Sequence, residues 1–271
     1  MIKMRLHTRI VLSILVGIVA LWLIAPTLIV IPVSFSPQDS FMLPKGELSL
    51  RWYENFFTNR SWTRALTNSA VVGLLVSVLA TVLGTMTAIA VNNMKSKGAQ
   101  VIRAMVLTPI IVPSIILAAG LYGFYLSAGL VGTLQGFVFA HTVLAIPMVF
   151  ISVTASLSGF DKTLELASAS LGANKFTTYR KVTIPLIAPG VIAGALLAFM
   201  TSFDEVIVAT FIQSPALQTL PVKLFYSVTR DTDPTIAAVA TLIFVVTTGA
   251  FVLFTFVIQP ILNRRKLSVK E

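Results

Sequence analysis

Six long apolar stretches divide this sequence, at 10–33, 66–91, 101–126, 134–157, 185–212 and 236–258. Crossing the hydrocarbon core of a bilayer takes about 20 apolar residues in a helix. Lipid offers no partner to an unpaired backbone group, so such segments span as helices and not as lone strands. The expectation is an all-α membrane domain of about six transmembrane helices covering 1–271. Composition agrees, with 56% hydrophobic and only 11% charged residues, against roughly a quarter charged in an ordinary soluble domain.

The first stretch follows Lys3, Arg5 and Arg9, the flank of a secretory signal. It is longer than a signal core and lacks a small-residue cleavage site, so it is expected to remain as the first helix.

The net charge of +10 would suggest nucleic acid in a soluble protein, because clustered Lys and Arg neutralise phosphates. Here the basic residues sit between the apolar stretches, and topology explains them without nucleic acid. With the N-terminus inside, fourteen Lys and Arg fall on one side, among them Lys95, Lys97, Arg103, Lys162, Lys175, Arg180, Lys181, Arg264 and Arg265, and six on the other. Basic residues near helix ends are retained in the cytoplasm, so both termini are expected there. Cysteine is absent, which excludes disulfides, thiolate metal sites and cysteine nucleophiles.

Two connecting segments are too long and polar to be simple turns. The outer loop 34–65 mixes Trp52, Tyr53, Phe56, Phe57 and Trp62 among charges, an interfacial amphipathic pattern. The cytoplasmic loop 158–184 holds a run with helical character, Leu164 to Leu171, then Gly172 suited to a helix end and Asn174 suited to cap a second short helix. Gly190, Gly194 and Ala198 form a ladder of small residues at four-residue spacing. Such a ladder admits a closely packed helix, within the bundle or across a dimer seam.

Anchored on Gly172, the cytoplasmic loop resembles the signature of the membrane subunits of binding-protein-dependent ABC importers: Glu-Ala-Ala, three residues, Gly, nine residues, Ile-x-Leu-Pro. Val182, Ile184 and Pro185 stand at the required spacing, and Leu166, Ala167 and Ser168 occupy the Glu-Ala-Ala positions. The signature glutamate is displaced by one residue, to Glu165, a rotation of about 100° on a helix. From Trp52 onward, Trp52-Tyr53, Asn68-Ser69, His141 with Pro147, Gly159-Phe160-Asp161, Ser202 to Val206, Leu220 to Lys223 and Asp233-Pro234 resemble the second permease subunit of spermidine/putrescine-type importers.

The resemblance implies the fold of type I ABC importer permeases and a location in the bacterial inner membrane. It implies as partners a second, homologous permease subunit, a dimer of ATPase subunits docked on the 158–184 loop, and a periplasmic substrate-binding protein. ATP and Mg would be bound by the ATPase partner, since this chain has no G-x-x-x-x-G-K-[ST] phosphate loop. Relatives of this kind also move ferric iron, opines and amino-acid-like solutes.

An ionisable residue deep in a span costs roughly 2.5–3.5 kcal/mol. Asp204 and Glu205 lie about 30 Å along the helix from Pro185 by a rise of ~1.5 Å per residue, near the outer mouth, where a carboxylate pair could attract a cationic substrate or simply cap a helix. Phe199, Phe203, Tyr122 and Tyr125 are candidates to line the path with cation-π faces, or to pack. His141 is expected to bond across helices. A metal site is not expected, because the second imidazole, His7, lies on the cytoplasmic side. A secondary transporter would bring charges to the midplane, where this chain has almost none, and no catalytic constellation of a membrane enzyme converges within the stretches.

Overall fold

In a computed structural model the chain is described over residues 6–94, 96–231, 233–253 and 256. Among these the structure is helical, with no strand beyond an isolated bridge between Ser214 and Leu217. In chain order the helices are α1 (Leu6–Val33), α2 (Arg51–Thr58), α3 (Arg60–Asn93), α4 (Lys97–Ile111), α5 (Ser114–Ser127), α6 (Leu134–Ser158), α7 (Thr163–Ser170), α8 (Lys175–Thr178), α9 (Ile184–Phe203), α10 (Ile207–Ile212), α11 (Leu220–Tyr226) and α12 (Thr235–Leu253). A π-helical turn, Tyr179–Thr183, joins α8 to α9, and another, Ser227–Asp231, follows α11.

Four apolar segments are long enough to cross a membrane as single helices: Ile10–Val33, Arg60–Asn93, Leu134–Ser158 and Lys175–Phe203. The expected third span, 101–126, is instead α4 and α5, bent by 101° at the break. Pro113 is the cause: its ring disfavours the helical conformation for the residue before it, and Val112 is extended at φ −76°, ψ 129°. Counted as one span, the pair makes five. The expected fifth span, 185–212, ends early, because α9 stops at Phe203 and the polar Asp204-Glu205 step separates it from α10. Of the sixth, 236–258, α12 supplies a shorter apolar helix, Thr235–Gly249, and the stretch beyond 253 falls largely outside the described residues. Within the outer loop, α2 is amphipathic, with Trp52 and Phe56 buried, and α3 already begins at Arg60.

Among the described residues two compact units emerge, one joining those up to 63 with those from 226 onward, the other 64–225. In the first, α12 packs against α1 and α2. Asn55 donates to Thr235 Oγ1 at 2.7 Å and the Trp62 indole to Asp233 Oδ2 at 3.2 Å. The side chains of α1 from Ile10 to Ile24 are almost all exposed apolar groups, the state of a helix whose solvent is lipid.

In the second unit α6 is the central helix, burying residues on every side, including Phe137, His141, Val149 and Val153. Its principal partner is α9. The small-residue ladder makes that approach possible: Gly190, Gly194 and Ala198 are all buried, and a Cβ at Gly194 would stand 3.0 Å from the Val149 Cα. Of the two uses the spacing allowed, the ladder serves packing within one chain. Helix α3 approaches α6 through Gly84, whose added Cβ would meet Val149 Cβ at 2.7 Å, and Ser77 of α3 donates to the Ala195 carbonyl of α9 at 2.8 Å.

Candidate functional site

Two places in the second unit hold the residues that the sequence singled out. The first is the element formed by the 158–184 loop. Helix α7 ends in the two bonds of a Schellman motif, Ala173 N to Ser168 O at 3.1 Å and Gly172 N to Ala169 O at 2.9 Å. Gly172 has φ +82°, a left-handed conformation that a side chain disfavours. The chain then re-enters helix at α8, whose capping residue Asn174 accepts the Thr177 N–H at 2.8 Å. At the other end of α7, Asp161 accepts the Thr163 N–H at 2.9 Å, which holds its carboxyl below the usual value. Pro185 sits in the first turn of α9, where its missing N–H removes a donor, and the wider π turn lies directly before it.

Glu165 is half-buried and bonded within its own chain. Its Oε1 accepts the hydroxyl of Thr183 at 2.7 Å, and Thr183 is fully buried at the last position of the π turn. Leu166, in the place of the signature glutamate, is 69% exposed. Ala167 is exposed and Ser168 half-buried, the latter sharing a hydrogen bond with Thr178 at 3.0 Å. Val182 is half-buried, and Ile184 and Pro185 are exposed. Leu164, Leu166, Leu171 and Phe176 are all exposed apolar side chains of the element, Leu171 the most at 89%. The element is also fastened to the end of α3: Lys162 donates to the Asn92 carbonyl at 3.3 Å and Asn93 to the Tyr179 hydroxyl at 3.3 Å. A cation at the carbonyl end of a helix is favourably placed.

The second place is the far end of α9. Asp204 closes the helix, its N–H bonded to the Met200 carbonyl at 3.0 Å, and its exposed side chain has no hydrogen-bond partner among the described residues. Glu205 is half-buried and accepts the Val208 N–H at 2.8 Å, capping α10. The adjacent carboxylates thus differ in use. Phe203, directly before Asp204, stacks with Phe199 one turn below at 5.6 Å between centroids, and Gly73 of α3 leaves room for the Phe199 ring, which would stand 2.9 Å from a Cβ there. Tyr122 pairs with Phe211 at 6.3 Å and is partly exposed, whereas Tyr125 is buried at 3% exposure.

His141 does bond across helices, its Nδ1 lying 2.9 Å from Ser202 Oγ. Sequence reasoning missed Ser202 and Thr183 as partners. Thr183 occupies the variable position of the Ile-x-Leu-Pro signature, so spacing alone gave no signal. No group of three or more metal-ligating side chains comes together among the described residues.

Comparison with known proteins follows this geometry. Residues 80–268 match the family described as the binding-protein-dependent transport system inner membrane component. The spermidine/putrescine transport system permease protein PotC of Haemophilus influenzae is 30% identical over 236 residues, 87% of this chain and 91% of that protein. The putrescine transport system permease protein PotI of Escherichia coli K12 is 29% identical over 229 residues, 82% and 81% of the two chains. The crystal structure of a bacterial ABC transporter that imports the acidic polysaccharide alginate shares the fold, with a TM-score of 0.69 at 16% identity over 93% of this chain and 96% of that one. A match over most of the chain, including the Gly172 loop and the helix that follows it, identifies this protein as a member of the binding-protein-dependent inner-membrane component family, a multi-pass permease subunit of an ABC importer.

Proposed function

We propose that this chain forms half of a translocation path for a polyamine or a related small cation. The observation that carries the reading is the far end of α9, where the exposed Asp204 directly follows Phe203, which stacks on Phe199 one turn earlier. Carboxylate and aromatic faces together suit an alkylammonium ion, the first by charge and the second by cation-π attraction. The same pairing disfavours an acidic sugar such as the cargo of the alginate transporter, and the likeness to PotC and PotI supports a cationic one.

The path is completed by a second, homologous permease chain. A periplasmic binding protein delivers the solute to the Asp204 end, and both termini of this chain are cytoplasmic. Two ATPase subunits, which bind ATP and Mg, dock beneath the two permease chains, on this chain over the exposed Leu164, Leu166, Leu171 and Phe176. Closure of the ATPase dimer moves α7 and α8 and turns the bundle outward; hydrolysis resets it. Ferric iron, opines and amino-acid-like solutes are the competing cargoes.

A test is to purify the importer with its binding protein, screen that protein against putrescine, spermidine, ferric iron and amino acids, and measure ATP hydrolysis in nanodiscs with each ligand. Stimulation by a polyamine-loaded binding protein is the expected result. Stimulation only by a neutral or anionic ligand would overturn the polyamine reading.

A further inference from the structure

We infer that Glu165 is a positioning residue that works inside this chain, locking the ATPase-docking helix α7 to the foot of α9 through Thr183, and is not a contact to the ATPase surface. The inference rests on the reading of α7 as the docking helix. Displacement by one residue turns the glutamate through about 100°, and the structure shows where it goes: Oε1 accepts the Thr183 hydroxyl at 2.7 Å. Thr183 is 1% exposed, so its hydroxyl has exchanged water for this carboxylate. The position that would face a partner carries Leu166 instead.

The bond joins elements that a push on α7 must otherwise move through flexible backbone. Gly172 has nothing within 4 Å of a would-be Cβ, so no side chain packs against the elbow at that residue. The π turn leading into α9 is a form of helix that recurs at functional sites. Glu165-Thr183 bridges both of these compliant points at once, and Ser168-Thr178 at 3.0 Å ties α7 to the end of α8. Displacement of α7 is then delivered to the first turn of α9, whose far end carries Phe199, Phe203 and Asp204.

The chemistry of the bond supplies a discriminating substitution. Thr183 donates and Glu165 accepts, and a glutamine Oε1 accepts equally well. A salt bridge to a cation on a partner would not survive that change. In the complete importer reconstituted in nanodiscs and proteoliposomes, E165A and T183V should each keep the ATPase subunits bound while lowering putrescine uptake per ATP hydrolysed about fivefold, a drop of the size expected for one lost hydrogen bond. The double variant should be no worse than the poorer single variant, and E165Q should restore coupling relative to E165A. Release of the ATPase by E165A but not by T183V, or additive losses in the double variant, would overturn the inference.

Hydrogen exchange on the same complexes separates this inference from the functional reading. If putrescine is not transported, the polyamine assignment fails, and the lock is judged by exchange alone. Faster exchange of the α7 amides in both E165A and T183V, with protection recovered in E165Q, supports it. Unchanged α7 protection in T183V refutes it.

Discussion

Ser152 donates its hydroxyl to the Gly190 carbonyl at 2.9 Å, and at this crossing of α6 and α9 a Cβ on Gly190 would lie 2.1 Å from Ser156 Oγ and 2.9 Å from the Ser152 carbonyl oxygen. A serine side chain can rotate away, but a backbone carbonyl in the middle of a helix cannot. The approach of the two helices therefore depends on the missing methyl.

Gly190→Ala is expected to destabilise the second unit by about 1–3 kcal/mol, the usual cost of overpacking. Gly123→Ala on α5, where nothing lies within 4 Å, should leave stability unchanged or raise it by about 0.4–1 kcal/mol through backbone entropy. Thermal denaturation of both variants in one detergent checks the pair. A Gly190→Ala protein as stable as the Gly123→Ala control would mean that the helices do not cross there.

At the elbow the argument concerns backbone alone. Gly172 has φ +82° and open space around it, so Gly172→Ala meets no clash and bears only the left-handed penalty, about 1–2 kcal/mol. Asn tolerates this conformation better, and Gly172→Asn should lose less than Gly172→Ala. Removing the neighbouring cap by Asn174→Ala should cost about 1 kcal/mol. Exchange rates of the α7 and α8 amides report both effects locally.

The elbow was readable from sequence because its determinants are local: a glycine after a helical run and an asparagine three residues before the N–H it caps. The break at Val112-Pro113 was harder, since Pro109 lies inside α4 without breaking it, so hydropathy merged two helices bent by 101° into one span. The end of α9 at Phe203 was hidden in the same way, two carboxylates being too few to interrupt an apolar average. Partners distant in sequence were not legible at all. Ser202 lies 61 residues from His141 and Thr183 lies 18 residues from Glu165, and only the fold brings them together.

The His141-Ser202 bond is, besides Ser152-Gly190, a polar link between α6 and α9. Both residues are buried, Ser202 at 4% and His141 at 0% exposure, and the imidazole Nε2 has no partner among the described residues. Ser202→Ala leaves Nδ1 unpaired as well, and His141→Phe leaves the serine hydroxyl unpaired. Each is expected to cost about 1–3 kcal/mol. The double variant removes both polar groups, and its loss should be smaller than the sum of the single losses, a coupling that a thermal double-mutant cycle measures.

Asp204 and Glu205 are adjacent but differently employed, and substitution should separate them. Glu205 caps α10 through the Val208 N–H, so Glu205→Ala is expected to lower stability by about 1 kcal/mol. The Asp204 carboxylate is exposed and bonds to none of the described residues, so Asp204→Asn should leave the thermal midpoint and assembly of the importer unchanged. What it removes is a negative charge at the end of α9, beside the stacked Phe199 and Phe203. Uptake of a cationic solute should therefore fall on Asp204→Asn, and the residual dependence of the rate on ionic strength should weaken, because steering by exposed charge is screened by salt. Unchanged putrescine uptake at full expression would remove Asp204 from the substrate path and leave the aromatic pair to account for recognition alone.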